Sequence, residues 1–297
     1  MSMEEQSVAP SAAVVTTVAD LVRDGVAELA AAGVPSAKLD AEVLLAAALG
    51  VDRTSILTRS EARVPVSAMR AFASMLERRR AREPLAYIIG KKEFWSLELE
   101  VSAAVLIPRP ETELVVETAV DVLRDWRSST PVVCDVGTGS GCIAVALACE
   151  LARVSIVALD TSPAAIEIAR RNAVKHQVVD RVELLVSDLF AAIGGRRFDV
   201  VVANPPYVAH EDLAKLAPEL RWEPDSALDG GNGGLQVIRR LLAETAATLV
   251  SEGWLVMEIG ADQGTVVEAL AREGGFGQTW VRSDYAGMPR VLVAQVI

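Results

Sequence analysis

Apolar residues recur at intervals of three and four from Val18 to about Arg82, as in Leu21, Val22, Val26 and Leu29 and again in Met69, Phe72, Met75 and Leu76. This spacing predicts amphipathic helices, which Gly33-Val34-Pro35 and Arg63-Val64-Pro65 punctuate into at least three. Between Tyr87 and Val101 the period falls to two, with Trp95, Leu97, Leu99 and Val101 on one face and Ser96, Glu98 and Glu100 on the other. That pattern predicts a hairpin, placed here with its turn near Gly90-Lys91-Lys92.

From Val132 onward short β-branched runs alternate with helical stretches. Strands are predicted at Val132–Asp135, Ser155–Asp160, Val182–Val186, Asp199–Ala203 and Trp254–Ile259, and helices from about Cys142, from Ala164, across Leu235–Leu249 and from Gln263. The alternation implies right-handed βαβ crossovers and a mainly parallel sheet covered on both sides. Thr279–Ser283 and Val291–Val296 are joined by too short a loop for a helical crossover, so they are expected to pair antiparallel. The expected organisation is a helical domain over 1–83, a hairpin linker over 84–107 and an α/β domain over 108–297.

A length of 297 residues fits about two domains at roughly 150 residues each. Composition changes this picture little but removes some partners. Forty acidic against 29 basic residues give a net charge of −11, which opposes a broad hold on nucleic acid phosphates. Between Arg59 and Glu93 the balance reverses, nine Lys and Arg against four Asp and Glu, which suits either a docking patch for a protein partner or a solvated helix end at Arg78-Arg79-Arg80. Cys134, Cys142 and Cys149 are too few for a disulfide framework and lack zinc-site spacing. The first thirteen residues carry Glu4 and Glu5 and no basic residue, unlike a secretory leader. No apolar run approaches the roughly 20 residues of a membrane helix. A cytoplasmic protein without a membrane partner is expected.

Candidate chemistry concentrates at two strand ends. Asp135-Val136-Gly137-Thr138-Gly139-Ser140-Gly141 follows the first α/β strand and opens a helix, presenting backbone N–H groups and side-chain-free turns to a ligand. Asp160 ends the next strand, where a carboxylate can accept both hydroxyls of a ribose, and Asp188 follows the third. A dinucleotide loop would place its third glycine where Cys142 stands. The Gly-x-Gly-x-Gly spacing, with the acidic partners and the closing hairpin, instead resembles the class I methyltransferase fold, whose ligand is S-adenosylmethionine.

Asn204-Pro205-Pro206-Tyr207 follows the fourth strand. Two prolines make a rigid loop with no N–H of their own, so the Asn204 side-chain oxygen and the Pro205 carbonyl can both accept from one planar NH2 group while Tyr207 lies against its plane. Such a nitrogen is a poor nucleophile because its lone pair is delocalised. Positioning it in line with a methyl carbon is therefore the chemistry required, with no metal and no catalytic histidine. The same tetrad serves methyltransferases acting on adenine or cytosine amino groups, so it leaves the substrate open.

Three further segments narrow that choice. Arg82-Glu83-Pro84-Leu85-Ala86-Tyr87-Ile88-Ile89-Gly90, Glu93-Phe94-Trp95 and Leu106-Ile107-Pro108-Arg109-Pro110-Glu111-Thr112-Glu113 resemble the linker motifs of the HemK/PrmC family, the glutamine-N(5) methyltransferases of peptide chain release factors. With Glu223-Pro224 and the Gly230, Gly231 and Gly234 cluster, the resemblance runs from about Arg82 to the C-terminus. It implies a class I methyltransferase fold with a seven-stranded sheet and a helical substrate-recognition domain, acting on the glutamine of a Gly-Gly-Gln motif. It also implies that Gly137, Thr138, Gly139, Ser140 and Gly141 wrap the methionine part of the cofactor, that Asp160 takes the ribose and that Asp188 with Leu189 borders the adenine. Asn204, Pro205, Pro206 and Tyr207 would receive the glutamine, with Asn204 also touching the cofactor and Asn204, Pro205 and Tyr207 carrying the catalysis. Arg109 would be structural. A ribosomal-protein glutamine methyltransferase shares the tetrad and stays open as an alternative. A nucleic-acid amino-methyltransferase is disfavoured by the missing recognition domain and basic face, and direct nucleic acid binding is not expected; a binding module without catalysis is disfavoured by the intact Asn204 and Tyr207.

Overall fold

A computed structural model of the chain describes residues 16–124 and 126–297; the N-terminal stretch read above for a leader lies outside them. The chain divides between Ile89 and Gly90 into two compact units.

The first unit holds α1 (Val18–Ala31), α2 (Ala37–Leu49), α3 (Arg53–Thr58), α4 (Val66–Arg80) and α5 (Leu85–Ile89). Thr17 starts α1 by reciprocal capping, its hydroxyl accepting from the Asp20 amide while the Asp20 carboxylate accepts from the Thr17 amide. The helices bury Leu29, Leu44, Leu45, Phe72 and Leu76 in one core, each such side chain contributing about 1.5–3 kcal/mol. The basic run in α4 is exposed at Arg78 and Arg80 and buried at Arg79. Arg79 is 4% exposed and its Nε donates to Asp40 at 2.7 Å, while Arg78 pairs with Glu83 and Arg80 with Glu28. Asp40 is also buried, so Asp40→Ala would take a bonded carboxylate from a buried guanidinium that keeps its bond to the Glu83 carbonyl. We expect it to lower stability by about 3–5 kcal/mol, read as a shifted urea midpoint at unchanged slope.

The second unit opens with a two-stranded hairpin, β1 (Lys91–Phe94) and β2 (Leu97–Glu100). Its turn falls at Trp95-Ser96, both in the left-handed region at φ 53° and 57°, and not near Gly90-Lys91-Lys92. The alternation did not reveal the corner, because Tyr87–Ile89 is helical: Pro84 starts that turn and its carbonyl accepts from the Tyr87 and Ile88 amides. Gly90, at φ 76°, ends the helix.

Beyond the hairpin come α6 (Glu113–Arg124), β3 (Val132–Val136), α7 (Cys142–Glu150), β4 (Ser155–Asp160), α8 (Pro163–Lys175), β5 (Val182–Val186), β6 (Phe198–Ala203), α9 (Asp225–Leu228), α10 (Gln236–Thr248), β7 (Leu249–Glu258), α11 (Gly264–Glu273), β8 (Gln278–Ser283) and β9 (Pro289–Gln295). The seven-stranded sheet has the order β5-β4-β3-β6-β7-β9-β8. Neighbours from β5 to β7 run parallel, and β9 lies antiparallel to both β7 and β8. Central strands are apolar on both faces, as in Val200–Ala203, because helices cover the two sides. This is the α/β class expected from the sequence. Chain order moves outward from β3 through β4 to β5 and then returns to β6 on the other flank of β3, so the loops after β3 and β6 flank the point where open α/β sheets bind ligands.

Candidate active site

Strand register decides which residues share the carboxyl edge. Val136 pairs with Leu159 and with Ala203, and Ala203 pairs with Met257. The residues that follow them, Gly137, Asp160, Asn204 and Glu258, therefore emerge side by side. Of these, Gly137, Asp160 and Asn204 border a cavity of about 240 Å³ whose lining also includes Thr138, Gly139, Ser140, Asp188, Leu189, Pro205 and Pro206. Gly141 and Tyr207 are the expected site residues outside that lining.

The glycine loop owes its shape to close packing on one side and open space on the other. A Cβ on Gly141, at φ 79°, would stand 3.0 Å from the Ala169 Cβ of α8, whereas Cβ positions on Gly137 and Gly139 meet nothing within 4 Å. The Asp160 carboxylate tethers the loop, one oxygen accepting from the Gly139 amide and the other from the Ser162 amide, both at 2.9 Å. Each oxygen keeps a second lone pair for a ligand hydroxyl. Asn172, buried on α8, donates to the carbonyls of Ser140 and Glu100 and accepts from the Glu100 amide, clipping β2 to the same loop.

Two buried atoms at this loop, Asp135 Oδ1 and Ser140 Oγ, have no protein partner. Burial pushes the Asp135 carboxyl up to about 7, the Asp160 charge adds to the rise, and the Thr138 hydroxyl opposes it. A cation placed there would reverse that shift. An open glycine cradle, orphaned acceptors and a carboxylate with spare lone pairs suit the amino acid and ribose parts of S-adenosylmethionine. Leu189 adds apolar lining, and Asp188 at the rim pairs with Arg240, which lines the same cavity.

A second cavity, of about 180 Å³, is lined by Arg109, Tyr207, Val208, Leu216, Leu220 and Leu228. Leu106, Asn204, Pro205 and Ala227 line both cavities. The Asn204 Nδ2 donates to Thr112 Oγ1 at 3.0 Å, and the Thr112 hydroxyl donates to Glu258 Oε2 at 2.6 Å. The Tyr207 hydroxyl donates to the other Glu258 oxygen at 3.2 Å. Burial, then the Glu258 charge, raise the Tyr207 pKa, so the phenol stays neutral.

The loop is fixed from behind as well. A Cβ on Gly234, at φ 70°, would stand 2.2 Å from the Tyr207 carbonyl oxygen, and Gln263 Nε2 donates to that carbonyl at 3.1 Å. Glu223, buried before α9, accepts from the Ile107 amide and pairs with Arg109, which gives Arg109 a structural anchor. His210 is exposed and paired with Asp229, and His176 sits at the end of α8 against the Glu98 carbonyl. The sequence reading missed Thr112, Asn172, Glu223, Glu258 and Gln263 as contributors. Thr112 and Glu223 lie in segments it had marked; Glu258 and Asn172 are legible only as charged or polar positions inside otherwise apolar patterns.

Comparison with known proteins agrees with this geometry. Residues 20–90 match the PrmC N-terminal domain and residues 116–238 the methyltransferase small domain. Among solved structures, the hMettl16 catalytic domain superposes with a TM-score of 0.56 at 16% identity over 78% of this chain and 82% of that one. A methyltransferase from Pyrococcus furiosus gives 0.50 at 17% over 69% and 92%. At these identities the likeness is one of fold. Fold, glycine cradle and strand-end loop together define a class I, S-adenosylmethionine-dependent methyltransferase. The release factor glutamine methyltransferase of Moorella thermoacetica is 43% identical over 94% of this chain and 98% of its own length. Those of Geobacter sulfurreducens and Pseudomonas aeruginosa are 40% and 42% identical over 90% and 88% of this chain and 93% of each relative. The chain belongs to the release factor glutamine methyltransferase family.

Proposed function

We propose that this protein transfers a methyl group from S-adenosylmethionine to the side-chain amide nitrogen of the glutamine in the Gly-Gly-Gln motif of peptide chain release factors. The observation that carries the reading is the wall shared by the two cavities at Asn204 and Pro205. A methyl donor on one side and an amide on the other would meet across that wall.

S-adenosylmethionine supplies an electrophilic methyl carbon carried on a sulfonium. The protein's own task is to hold the nucleophile. Asn204 Oδ1, the end of the amide not engaged by Thr112, and the Pro205 carbonyl accept the two protons of the glutamine NH2. Tyr207 lies against its plane, and Pro206 stiffens the loop. Gripping both N–H groups prevents rotation and favours the developing positive charge on nitrogen over the flat ground state. Gly137, Thr138, Gly139 and Ser140 hold the methionyl part with Gly141 as the packing point, Asp160 takes the ribose, and Asp188 and Leu189 border the adenine. The helical N-terminal region, 1–83, serves substrate recognition, residues 84–107 act as a linker, and 108–297 form the catalytic domain.

No helix among the described residues is long and apolar enough to cross a membrane. The enzyme is read as cytoplasmic, with a release factor as its partner. Radiolabelled methyl transfer tests the substrate class, with a purified release factor, a ribosomal protein fraction and RNA offered in parallel. Label on the release factor alone is expected. Label on ribosomal protein or RNA with none on the release factor overturns the reading.

A further inference from the structure

We infer that Glu258 is a positioning residue for methyl transfer, acting through Thr112 and Tyr207 to fix which end of the Asn204 amide meets the substrate. The inference rests on the proposed role of Asn204 as an acceptor for the glutamine NH2.

The first support is register. Ala203 on β6 pairs with Met257 on β7, so Asn204 and Glu258 leave the sheet at the same level on neighbouring strands. Glu258 is 1% exposed and ends β7 after the fully buried Leu255, Val256 and Met257. A carboxylate in that place is costly unless it is hydrogen-bonded. Its two oxygens are taken by one group from each cavity wall, the hydroxyl of Thr112, which lines the first cavity, at 2.6 Å and the hydroxyl of Tyr207, which lines the second, at 3.2 Å. A purely structural residue at the end of an apolar strand would pack as well with no charge at all.

The second support is direction. A hydroxyl has one proton, and the Thr112 proton points to Glu258, so its lone pair faces Asn204 and selects the Nδ2 end of the amide. Asn204 then has its oxygen turned away from Thr112 and available to a donor. An isolated asparagine could turn either end to the substrate, and the nitrogen end would repel an NH2 group. Glu258 breaks that symmetry from one residue further back. Because the hydrogen bonds run in one direction along Asn204, Thr112 and Glu258, each polarises the next and makes the Asn204 oxygen the better acceptor. The Tyr207 hydroxyl is held by the same carboxylate. Partners that orient metal-ligating side chains commonly alter activity by about 10- to 100-fold, and an effect of the same scale is expected here.

The test compares Glu258→Gln, Thr112→Val and Thr112→Ser in the full-length protein. Glu258→Gln and Thr112→Val are expected to lower the single-turnover rate on a release factor by about 10- to 100-fold. S-adenosylmethionine affinity by calorimetry is expected to stay within about threefold of the unsubstituted protein. Thr112→Ser, which keeps the hydroxyl, is expected to keep most of the rate, whereas a packing role would be served better by valine. A readout without turnover accompanies these: the Asn204 side-chain amide protons, assigned by their loss in Asn204→Asp, are expected to exchange slowly with solvent in the unsubstituted protein and rapidly in Thr112→Val. Unchanged turnover in folded Glu258→Gln, or Asn204 exchange indifferent to Thr112→Val, overturns the inference. If the unsubstituted protein methylates no release factor, the proposed function fails, and the exchange measurement still decides whether Thr112 and Glu258 orient Asn204.

Discussion

Asn204→Ala is expected to lower single-turnover methylation of a folded release factor by about a hundredfold or more. Removing the side-chain oxygen leaves one acceptor, the Pro205 carbonyl, for an NH2 group that needs two to be held against rotation. A lost transition-state contact of about 3 kcal/mol corresponds to roughly a hundredfold in rate. The structure confines the damage. The Asn204 nitrogen bonds only the Thr112 hydroxyl among the contacts described, and Thr112 retains its bond to Glu258. Cofactor affinity is expected to change far less than turnover, since most of that cavity is built by the glycine loop, Asp160 and Asp188. Parallel rate and binding measurements check this, and near-normal methylation in a folded Asn204→Ala protein would make the loop a structural strand end.

Asp160→Ala is expected to act on the other half of the site. Each charge-assisted hydrogen bond to a ribose hydroxyl is worth roughly 1.5–3 kcal/mol, so losing two weakens S-adenosylmethionine binding by about a hundredfold or more. The carboxylate has a second duty, because it accepts from the Gly139 and Ser162 amides, and Ser162 caps α8. Some loss of stability is therefore expected alongside the loss of affinity. Calorimetry on protein shown to be folded separates the two. Unchanged affinity with a lowered melting temperature would assign Asp160 to capping alone.

Most of the fold was legible in the sequence because its strands and helices differ so clearly in period. Buried parallel strands give runs such as Val200-Val201-Val202-Ala203, and Gly or Pro stands at their ends. What escaped was local geometry with no periodic trace. The hairpin corner at Trp95-Ser96 uses two non-glycine residues in the left-handed region, so composition pointed to Gly90 instead. Helix α6 lay in a segment read only for its motif, although Leu114, Val115, Ala119 and Leu123 bury one face of it. The arginine run in α4 showed its charge and not its partner, since Asp40 stands 39 residues away.

The candidate site divides in the same way. Residues clustered at a strand end, the glycine loop and Asn204 to Tyr207, announce themselves through spacing. Residues that act across the sheet do not. Thr112, Asn172 and Glu258 reach their partners through tertiary contacts at sequence separations of 92, 72 and 146. A single buried glutamate after Val256-Met257 gives no spacing to detect, and only strand register brings it level with Asn204.

Methyl transfer to one nitrogen atom can be read by fragmentation mass spectrometry of a release factor treated with this protein and S-adenosylmethionine. A single added methyl group is expected on the side-chain nitrogen of the glutamine in the Gly-Gly-Gln peptide, and its loss when Asn204→Ala replaces the unsubstituted protein. A methyl group on any other residue of the release factor, or an unmodified glutamine after prolonged incubation with active protein, would contradict that expectation.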